Sequence, residues 1–251
     1  MKTYGLLGHP LTHSFSKGYF TDKFNNEQID ACYLNFDLPD LSGFLALFDE
    51  HPELAGMNVT IPYKQQVIPF LDALDPEAEA MGAVNVIRVT YENGRRKLTG
   101  YNSDYKGFAD SISPLLPAED GLKALVLGTG GASKAVVYAL QKAGIQTTYV
   151  SRQPVESGFT YADLTPALLG DYRIIVNTSP VGMYPHVNEK PLLPYDGITA
   201  SHICYDLIYN PEETEFLAEA RRRGAVTCNG SRMLEGQALE AWRIWNLPDG
   251  L

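Results

Sequence analysis

The chain has 251 residues, of which 45% are hydrophobic and 20% are charged, a composition typical of one or two soluble globular domains. Its net charge of −10 at pH 7 argues against a nucleic-acid partner, because phosphate binding needs a basic surface. The 3 cysteines are too sparse for a disulfide framework, and no segment resembles a signal peptide or a membrane span. We therefore expect a cytoplasmic protein, a monomer or homodimer with no membrane partner.

The first block of the chain, residues 1–106, alternates short strands with helices. TYGLLG, YLNFDL and MNVTI are predicted strands, and AVNVIRVT pairs with KLTGYN across the turn signal ENGRR. Helices are predicted at about 17–25, 41–49, 63–73 and 76–82. This alternation predicts an α/β domain.

The second block follows the linker SPLLPAEDG and covers residues 107–231. Its predicted strands are LKALVLG, TTYV, RIIVN, HICYDLI and AVTCNG, and helices follow several of them. Such a βαβ series predicts a Rossmann-type, doubly wound parallel sheet. The last helix, about Met233 to Trp245, carries two tryptophans. We expect it to pack back on the first domain, so that residues 232–251 complete the domain formed by residues 1–106.

A glycine-rich turn joins the first strand of the second block to its first helix. In LVLGTGGAS, Gly128, Gly130 and Ser133 occupy the three positions of the G-x-G-x-x-G pattern, and Gly131 is an additional glycine. Such a turn directs backbone N–H groups and a helix N-terminus at a diphosphate. Glycines alone also mark ordinary turns, but a buried strand before them and a helix after them predict dinucleotide binding.

A cation stands at the end of the next strand, where an NAD-binding chain usually carries a carboxylate for the ribose. The strand TTYV ends in Ser151 and Arg152. Arg152 can pair with a 2′-phosphate and Ser151 can hydrogen-bond it, so the sequence predicts NADP (NADPH) as the cofactor. The alternative is a solvated arginine at a strand end.

Several polar residues of the first block lie at predicted strand ends and loops, where ligand sites of α/β folds collect. Ser14 and Ser16 precede a helix and can bind a carboxylate, although Ser16 could also be an N-cap. Lys64 follows Pro62 in a first helical turn, where a cation opposes the helix dipole. Asp104 could be functional or could cap the following helix.

Eight motifs in the same order resemble the shikimate dehydrogenase family over essentially the whole chain. They are HPLTHSFS (9–16), MNVTIPYK (57–64), GAVN (82–85), GYNSDYKGF (100–108), LGTGGASKA (127–135), NTSPVGM (177–183), YDLIYNPEET (205–214) and NGSRMLEGQA (229–238). The resemblance implies reversible, NADP-dependent reduction of 3-dehydroshikimate to shikimate, a step of chorismate and aromatic amino acid biosynthesis.

The resemblance also implies the roles of individual residues. Lys64 and Asp104 form the catalytic acid/base pair, and the substrate is bound by Ser14, Ser16, Thr60, Asn85, Tyr209 and Gln237. The cofactor is bound by Gly128, Thr129, Gly130, Gly131, Ala132, Ser151, Arg152, Asn177, Thr178, Met183, Leu207, Gly230 and Met233.

Two departures from the family keep alternatives open. The cofactor-selecting turn reads Ser-Arg-Gln with no second arginine after it, and Arg232 stands where the family often has glycine. One alternative is therefore a quinate/shikimate dehydrogenase of broader specificity that uses NAD. Another is a non-catalytic nucleotide-sensing paralogue, although Lys64 and Asp104 are both present. His9 and His13 have no carboxylate at a useful spacing, so no metal site is predicted.

Overall fold

The computed structural model describes residues 1–11 and 15–248, and the chain forms two compact units. The first unit consists of Met1–Ser103 together with the chain from Ala238 onward, and the second is Asp104–Gln237. Among the described residues, no helix combines the length and apolarity that crossing a membrane requires.

Six strands form the sheet of the first unit. They are β1 (Lys2–Gly8), β2 (Ala31–Asp37), β3 (Leu54–Val59), β4 (Ala73–Leu74), β5 (Val86–Glu92) and β6 (Arg95–Tyr101). Their order across the sheet is β2-β1-β3-β5-β6-β4. Strand β5 runs antiparallel to both neighbours, whereas the β1–β2, β1–β3 and β4–β6 pairs are parallel. The predicted hairpin between β5 and β6 is confirmed.

Among the described residues, the helices that belong at least partly to this unit are α1 (Phe15–Asn26), α2 (Leu47–Glu50), α3 (Pro76–Met81) and the end of the last helix. The predicted helix at 63–73 is wrong. Its place is taken by turns, one 3-10 turn at Ile68–Phe70 and strand β4. Pro69 explains the failure, because proline removes a backbone donor and clashes with the preceding helical turn.

An aromatic cluster covers one face of this sheet, and the last helix of the chain supplies part of it. The tryptophan ring of Trp245 lies 4.7 Å from that of Tyr4 and 5.1 Å from that of Phe20. Its indole Nε1 donates to the carbonyl of Ile87 at 3.1 Å. A Cβ on Gly56 would lie 2.4 Å from the indole, so this strand position must stay small. The expected return of the last helix to the first domain is confirmed.

The sheet of the second unit is entirely parallel. Its strands are β7 (Lys123–Leu127), β8 (Gln146–Ser151), β9 (Phe159–Thr160), β10 (Ile174–Asn177), β11 (Ile203–Asp206) and β12 (Val226–Cys228). The order is β12-β11-β10-β7-β8-β9, which is the dinucleotide-binding order with its switch point between β7 and β10. The sequence did not predict β9, which is only two residues long.

Helices cover this second sheet, as the continuous apolar strands require. They are α4 (Asp104–Ile112), α5 (Gly131–Lys142), α6 (Pro166–Leu169), α7 (Glu215–Arg222) and the first half of α8 (Ser231–Trp245). Val126 and Val176 pack with α4 and α5 residues in one core cluster, and Leu125 and Ile175 pack with α7 residues in another. Helices therefore pack on both faces of the sheet, which confirms the predicted doubly wound fold.

Candidate functional site

Several polar residues of the first unit share one edge of its sheet. Thr60 directly follows β3, and Asn85 directly precedes the antiparallel strand β5. Val86 pairs with both Asn58 and Tyr101, so the end of β6 lies at the same edge. The sheet therefore brings Thr60, Asn85 and the residues after β6 together.

Asn85 is 3% exposed and bonds directly to Ser103. Its Oδ1 accepts from the Ser103 backbone N–H at 2.7 Å, and its Nδ2 donates to the Ser103 hydroxyl at 3.0 Å. Nδ2 has a second hydrogen that these bonds do not use. Asn85 can therefore donate to a ligand while it anchors the residue immediately before Asp104.

The backbone around Lys64 is fixed by long-range hydrogen bonds. The Lys64 carbonyl accepts from the Val84 N–H at 2.7 Å, and the neighbouring Tyr63 hydroxyl donates to the Leu38 carbonyl at 2.6 Å. Tyr63 is buried, whereas Lys64 is only partly so. A fixed backbone and a partly exposed lysine suit a residue that acts on a ligand.

A buried polar network that the sequence did not predict lies behind this edge. Tyr33 donates to Asn58 Oδ1 at 2.7 Å, and Asn58 Nδ2 donates to the Asn85 carbonyl at 3.4 Å. Burial raises the pKa of Tyr33, and a hydrogen bond with Ser16 lowers it in part. Asn58 belongs to the MNVT motif, and that motif was the available signal.

The four remaining predicted substrate residues and the predicted catalytic Asp104 have different settings. Ser16 is the second residue of α1, so its alternative role as N-cap is wrong. Ser14, like His13, lies outside the described residues. Asp104 is buried as the first residue of α4, where a carboxylate also favours the helix dipole. Gln237 is buried and donates from Nε2 to the Leu234 carbonyl at 3.0 Å, whereas Tyr209 is exposed after β11.

The glycine-rich turn lies at the switch point of the second sheet. Gly128 has φ +111°, a conformation that side chains rarely adopt, and a Cβ there would lie 2.9 Å from Thr178 Oγ1. Gly130 is the N-cap residue of α5, and a Cβ there would meet nothing within 4 Å. Thr129 and Gly130 are exposed, and Gly131 and Ala132 begin the helix. Ser133 is fully buried and donates to the Gly130 carbonyl at 2.6 Å.

Arg152 is exposed just beyond the end of β8, and no described carboxylate forms an ion pair with it. Its positive charge reaches Tyr161: burial raises the pKa of that tyrosine, and Arg152 lowers it in part. Ser151 is the last residue of β8, and its hydroxyl accepts from the Gln153 N–H at 3.4 Å. A phosphate at this strand end would meet one guanidinium and one hydroxyl.

Four of the predicted nicotinamide residues, Asn177, Thr178, Met183 and Leu207, follow or end strands β10 and β11. Thr178 donates from both its backbone N–H and its hydroxyl to the Leu127 carbonyl, at 3.0 and 2.8 Å. Leu207 donates from its N–H to the Asn177 carbonyl at 3.0 Å. Met183 is half exposed. Asn177 is fully buried and directs its side-chain amide into the protein.

Two glycines allow close backbone contacts between the start of α8 and the rest of the second unit. A Cβ on Gly230 would lie 2.0 Å from the Leu207 carbonyl oxygen. A Cβ on Gly107 of α4 would lie 2.6 Å from the Met233 carbonyl. The Met233 side chain is buried in the core beside α4 and α5. Gly230 therefore acts through backbone approach, which only glycine permits here.

The second unit also contains a buried acid that the sequence did not predict. Asp206, the last residue of β11, has no exposed surface. Its carboxylate accepts from Asn177 Nδ2 at 3.1 Å, the Ile208 N–H at 3.0 Å and the Thr214 hydroxyl at 2.7 Å. Loss of hydration raises the pKa of Asp206 to about 6 although all three donors lower it. The YDLIYNPEET motif contained this residue, but no local pattern indicated its partners.

These residues fit a dinucleotide with a 2′-phosphate. The turn after β7 leaves open space in front of Gly130 at the N-terminus of the twelve-residue helix α5, which is where a diphosphate binds in this fold. Arg152 directly follows the neighbouring strand β8 and is exposed. No group of three or more metal-ligating side chains occurs among residues 1–11 and 15–248.

Known proteins resemble this chain over nearly its whole length. The family model described as the shikimate dehydrogenase substrate binding domain matches residues 6–87. A shikimate dehydrogenase (NADP(+)) of Carboxydothermus hydrogenoformans is 36% identical over 259 residues, covering 97% of this chain and 91% of that protein.

Solved structures show the same fold. The crystal structure of shikimate dehydrogenase from Aquifex aeolicus has a TM-score of 0.86 at 33% identity, covering 99% of this chain and 94% of that one. Quinate dehydrogenase from Corynebacterium glutamicum, in complex with NAD, has a TM-score of 0.85 at 27% identity, covering 98% and 93%.

Proposed function

This chain belongs to the shikimate dehydrogenase family, and we propose that it catalyses the reversible, NADP-dependent reduction of 3-dehydroshikimate to shikimate. One observation carries the proposal: the 36% identity over 97% of the chain to a relative named for this enzyme and for NADP(+). The reaction would serve chorismate and aromatic amino acid biosynthesis.

We assign the cofactor to the second unit. The backbone N–H groups of residues 128–132 and the N-terminus of α5 would bind the diphosphate. Arg152 and Ser151 would bind the 2′-phosphate, which a carboxylate at the same position would repel. The nicotinamide end would lie near Asn177, Thr178, Met183, Leu207, Gly230 and Met233. NADPH supplies the hydride in the reductive direction.

We assign most of the substrate contacts to the edge of the first sheet. A ring acid with several hydroxyls needs donors for its carboxylate and both donors and acceptors for its hydroxyls. Ser14, Ser16 and Tyr209 would hold the carboxylate, and Thr60, Asn85 and Gln237 would bind the hydroxyls. The unused hydrogen of Asn85 Nδ2 and the fixed backbone at Thr60 support these roles.

Lys64 and Asp104 would be the acid/base pair. The carbonyl oxygen at C3 becomes an alkoxide as the carbon is reduced, and it needs a proton. The Lys64 ammonium can polarise that oxygen and supply the proton. Asp104 can orient the ammonium and accept a hydrogen bond from a substrate hydroxyl. A placed general acid contributes roughly 10²–10⁴ in rate.

One observation favours a second candidate, a quinate/shikimate dehydrogenase that uses NAD. The turn after β8 has a single arginine, followed by Gln153 and Pro154. A similar solved structure is a quinate dehydrogenase in complex with NAD. This candidate keeps the acid/base chemistry and changes the cofactor and the substrate ring, which in quinate is saturated and carries one more hydroxyl.

Initial rates of nicotinamide reduction, followed by absorbance, distinguish these candidates. Shikimate and quinate are each supplied with NADP⁺ or NAD⁺ to the full chain. Turnover with shikimate and NADP⁺, and little with the other three pairs, supports the proposal. Comparable turnover with quinate and NAD⁺ supports the second candidate, and no turnover with any pair refutes both.

A further inference from the structure

Two loops follow neighbouring strands at the carboxyl edge of the second sheet. Loop A, residues 178–184, follows β10, and loop B, residues 207–214, follows β11. The Tyr184 N–H of loop A donates to the Asn210 carbonyl of loop B at 3.2 Å. The two loops are therefore joined at a point distant from their strands.

Asp206 joins the same loops at their strand ends. Its Oδ1 accepts from Asn177, the residue before loop A, and from the Ile208 N–H of loop B. Its Oδ2 accepts from the hydroxyl of Thr214, the last residue of loop B. One carboxylate thus fixes the start of loop A and both ends of loop B.

Asn177 extends this linkage into loop A. Its Oδ1 accepts from the Ser179 N–H at 3.1 Å and from the Ser179 hydroxyl at 2.7 Å. Its Nδ2 donates to Asp206 and, at 3.4 Å, to the Val181 carbonyl. Both amide hydrogens and the carbonyl oxygen of Asn177 are therefore used within the protein.

We propose that Asp206 is a positioning residue that, through Asn177 and Thr214, holds loops A and B in the arrangement that binds the nicotinamide half of NADP(H). The inference deepens the proposed function and rests on it for the identity of the cofactor. It assigns Asn177 a role in shaping loop A, since its amide has no capacity left for a ligand.

Capping of a helix does not require this acid. Thr214 is the N-cap of α7 and accepts from the Leu217 N–H. Thr165 caps α6 in the same way, accepting from the Leu168 N–H, and among the described residues no carboxylate bonds to it. A buried carboxylate loses hydration and costs stability unless it is fully hydrogen-bonded. The hydrogen bonds to loops A and B account for the presence of Asp206, whereas the capping of α7 by Thr214 does not.

The test compares two ligands that share an adenine half. NADP⁺ and adenosine 2′,5′-bisphosphate, which lacks the nicotinamide, are titrated into the full chain by calorimetry. In Asp206→Ala we expect the Kd of NADP⁺ to rise about tenfold, the effect of losing hydrogen bonds to a charged group. The Kd of the bisphosphate should change less than about twofold on the same scale.

Three further variants keep the test decisive if Asp206→Ala does not fold. Thr214→Val removes the bond to Asp206, and Thr165→Val removes a comparable helix cap elsewhere. Of these two, only Thr214→Val should weaken the binding of NADP⁺ more than the binding of the bisphosphate. Asp206→Asn should restore binding, because its amide can accept from Asn177 and Ile208 and donate to the Thr214 oxygen.

Hydrogen exchange of the ligand-free protein gives a readout independent of the cofactor. Amides of loops A and B should exchange faster in Asp206→Ala and Thr214→Val than in the wild type. The proposal would be overturned if the variants bound both ligands equally more weakly. It would also be overturned if NADP⁺ binding and the hydrogen exchange of the loop amides were both unchanged. A wild type that binds NADP⁺ but does not oxidise shikimate would refute the proposed substrate and leave this test valid.

Discussion

Replacement of the buried acid Asp206 by asparagine should change how stability depends on pH. Folding removes this carboxyl from water and raises its pKa from 3.8 to about 6. At 1.36 kcal/mol per pH unit, that rise corresponds to about 3 kcal/mol. Asp206→Asn removes the titrating group and can keep the hydrogen bonds, so it isolates this contribution.

The sign follows from proton binding. Below pH 3.8 the carboxyl is protonated in both states and adds no pH dependence. Between pH 3.8 and 6 the folded chain binds more protons than the unfolded chain, so the free energy of unfolding falls as the pH rises. The wild type should therefore lose about 2 kcal/mol relative to Asp206→Asn between pH 4 and pH 7, since part of the full effect is already lost at pH 4.

Urea unfolding at several pH values measures this difference. Far-ultraviolet circular dichroism is the suitable signal, because Trp242 and Trp245 both belong to the first unit and Asp206 to the second. Asp163→Asn is the control of opposite sign. The hydroxyl and N–H of Thr160 lower the pKa of Asp163, so the wild type should gain stability relative to that variant as the pH rises. A difference between wild type and Asp206→Asn that stays flat or rises with pH would refute the reasoning.

Three further substitutions test the site. Lys64→Ala should lower kcat by about 10²–10⁴, the contribution of a placed acid, while the KM for shikimate changes less. Arg152→Ala should raise the KM for NADP⁺ about tenfold or more, as expected for a lost charged hydrogen bond, and leave the KM for NAD⁺ nearly unchanged. Gly230→Ala should destabilise the protein by about 1–3 kcal/mol in urea unfolding, because its Cβ would overlap the Leu207 carbonyl.

Each of these substitutions has a control at a comparable residue elsewhere. Lys106→Ala and Arg222→Ala remove cations that pair with surface acids, and steady-state kinetics should hardly change. Gly18→Ala adds a Cβ that meets nothing within 4 Å, so stability should not fall. Normal turnover of Lys64→Ala would exclude it as the acid, and equal effects of Arg152→Ala on both cofactors would exclude a contact with the 2′-phosphate.

The cofactor half of the fold could be predicted because its signals are local. The buried strand, the glycine turn and the helix after it lie within one short segment, and the order of the parallel strands follows from right-handed βαβ connections. The sequence placed Ser133 at the third position of the glycine pattern, but it did not predict that the Ser133 hydroxyl bonds the Gly130 carbonyl. Strand β9 was missed because two residues give no periodicity.

The polar linkages could not be predicted because their partners are distant in sequence. Asp206 bonds Asn177 from 29 residues away, and Asn85 bonds Ser103 from 18. No periodicity connects such pairs, so the sequence indicated their motifs without their contacts. The wrong helix at 63–73 has another cause: its apolar spacing suited a helix, and Pro69 prevented one.

The discontinuity of the first unit has a consequence for synthesis on the ribosome. Its sheet is complete when residue 103 has been made, but Trp245, which packs on Tyr4 and Phe20, comes after the whole of the second unit. At a synthesis rate of about 5–20 residues per second, on the order of ten seconds pass between completion of the sheet and synthesis of Trp245. During that interval the nascent chain presents apolar surface to chaperones, and a chain released early would aggregate through the same face.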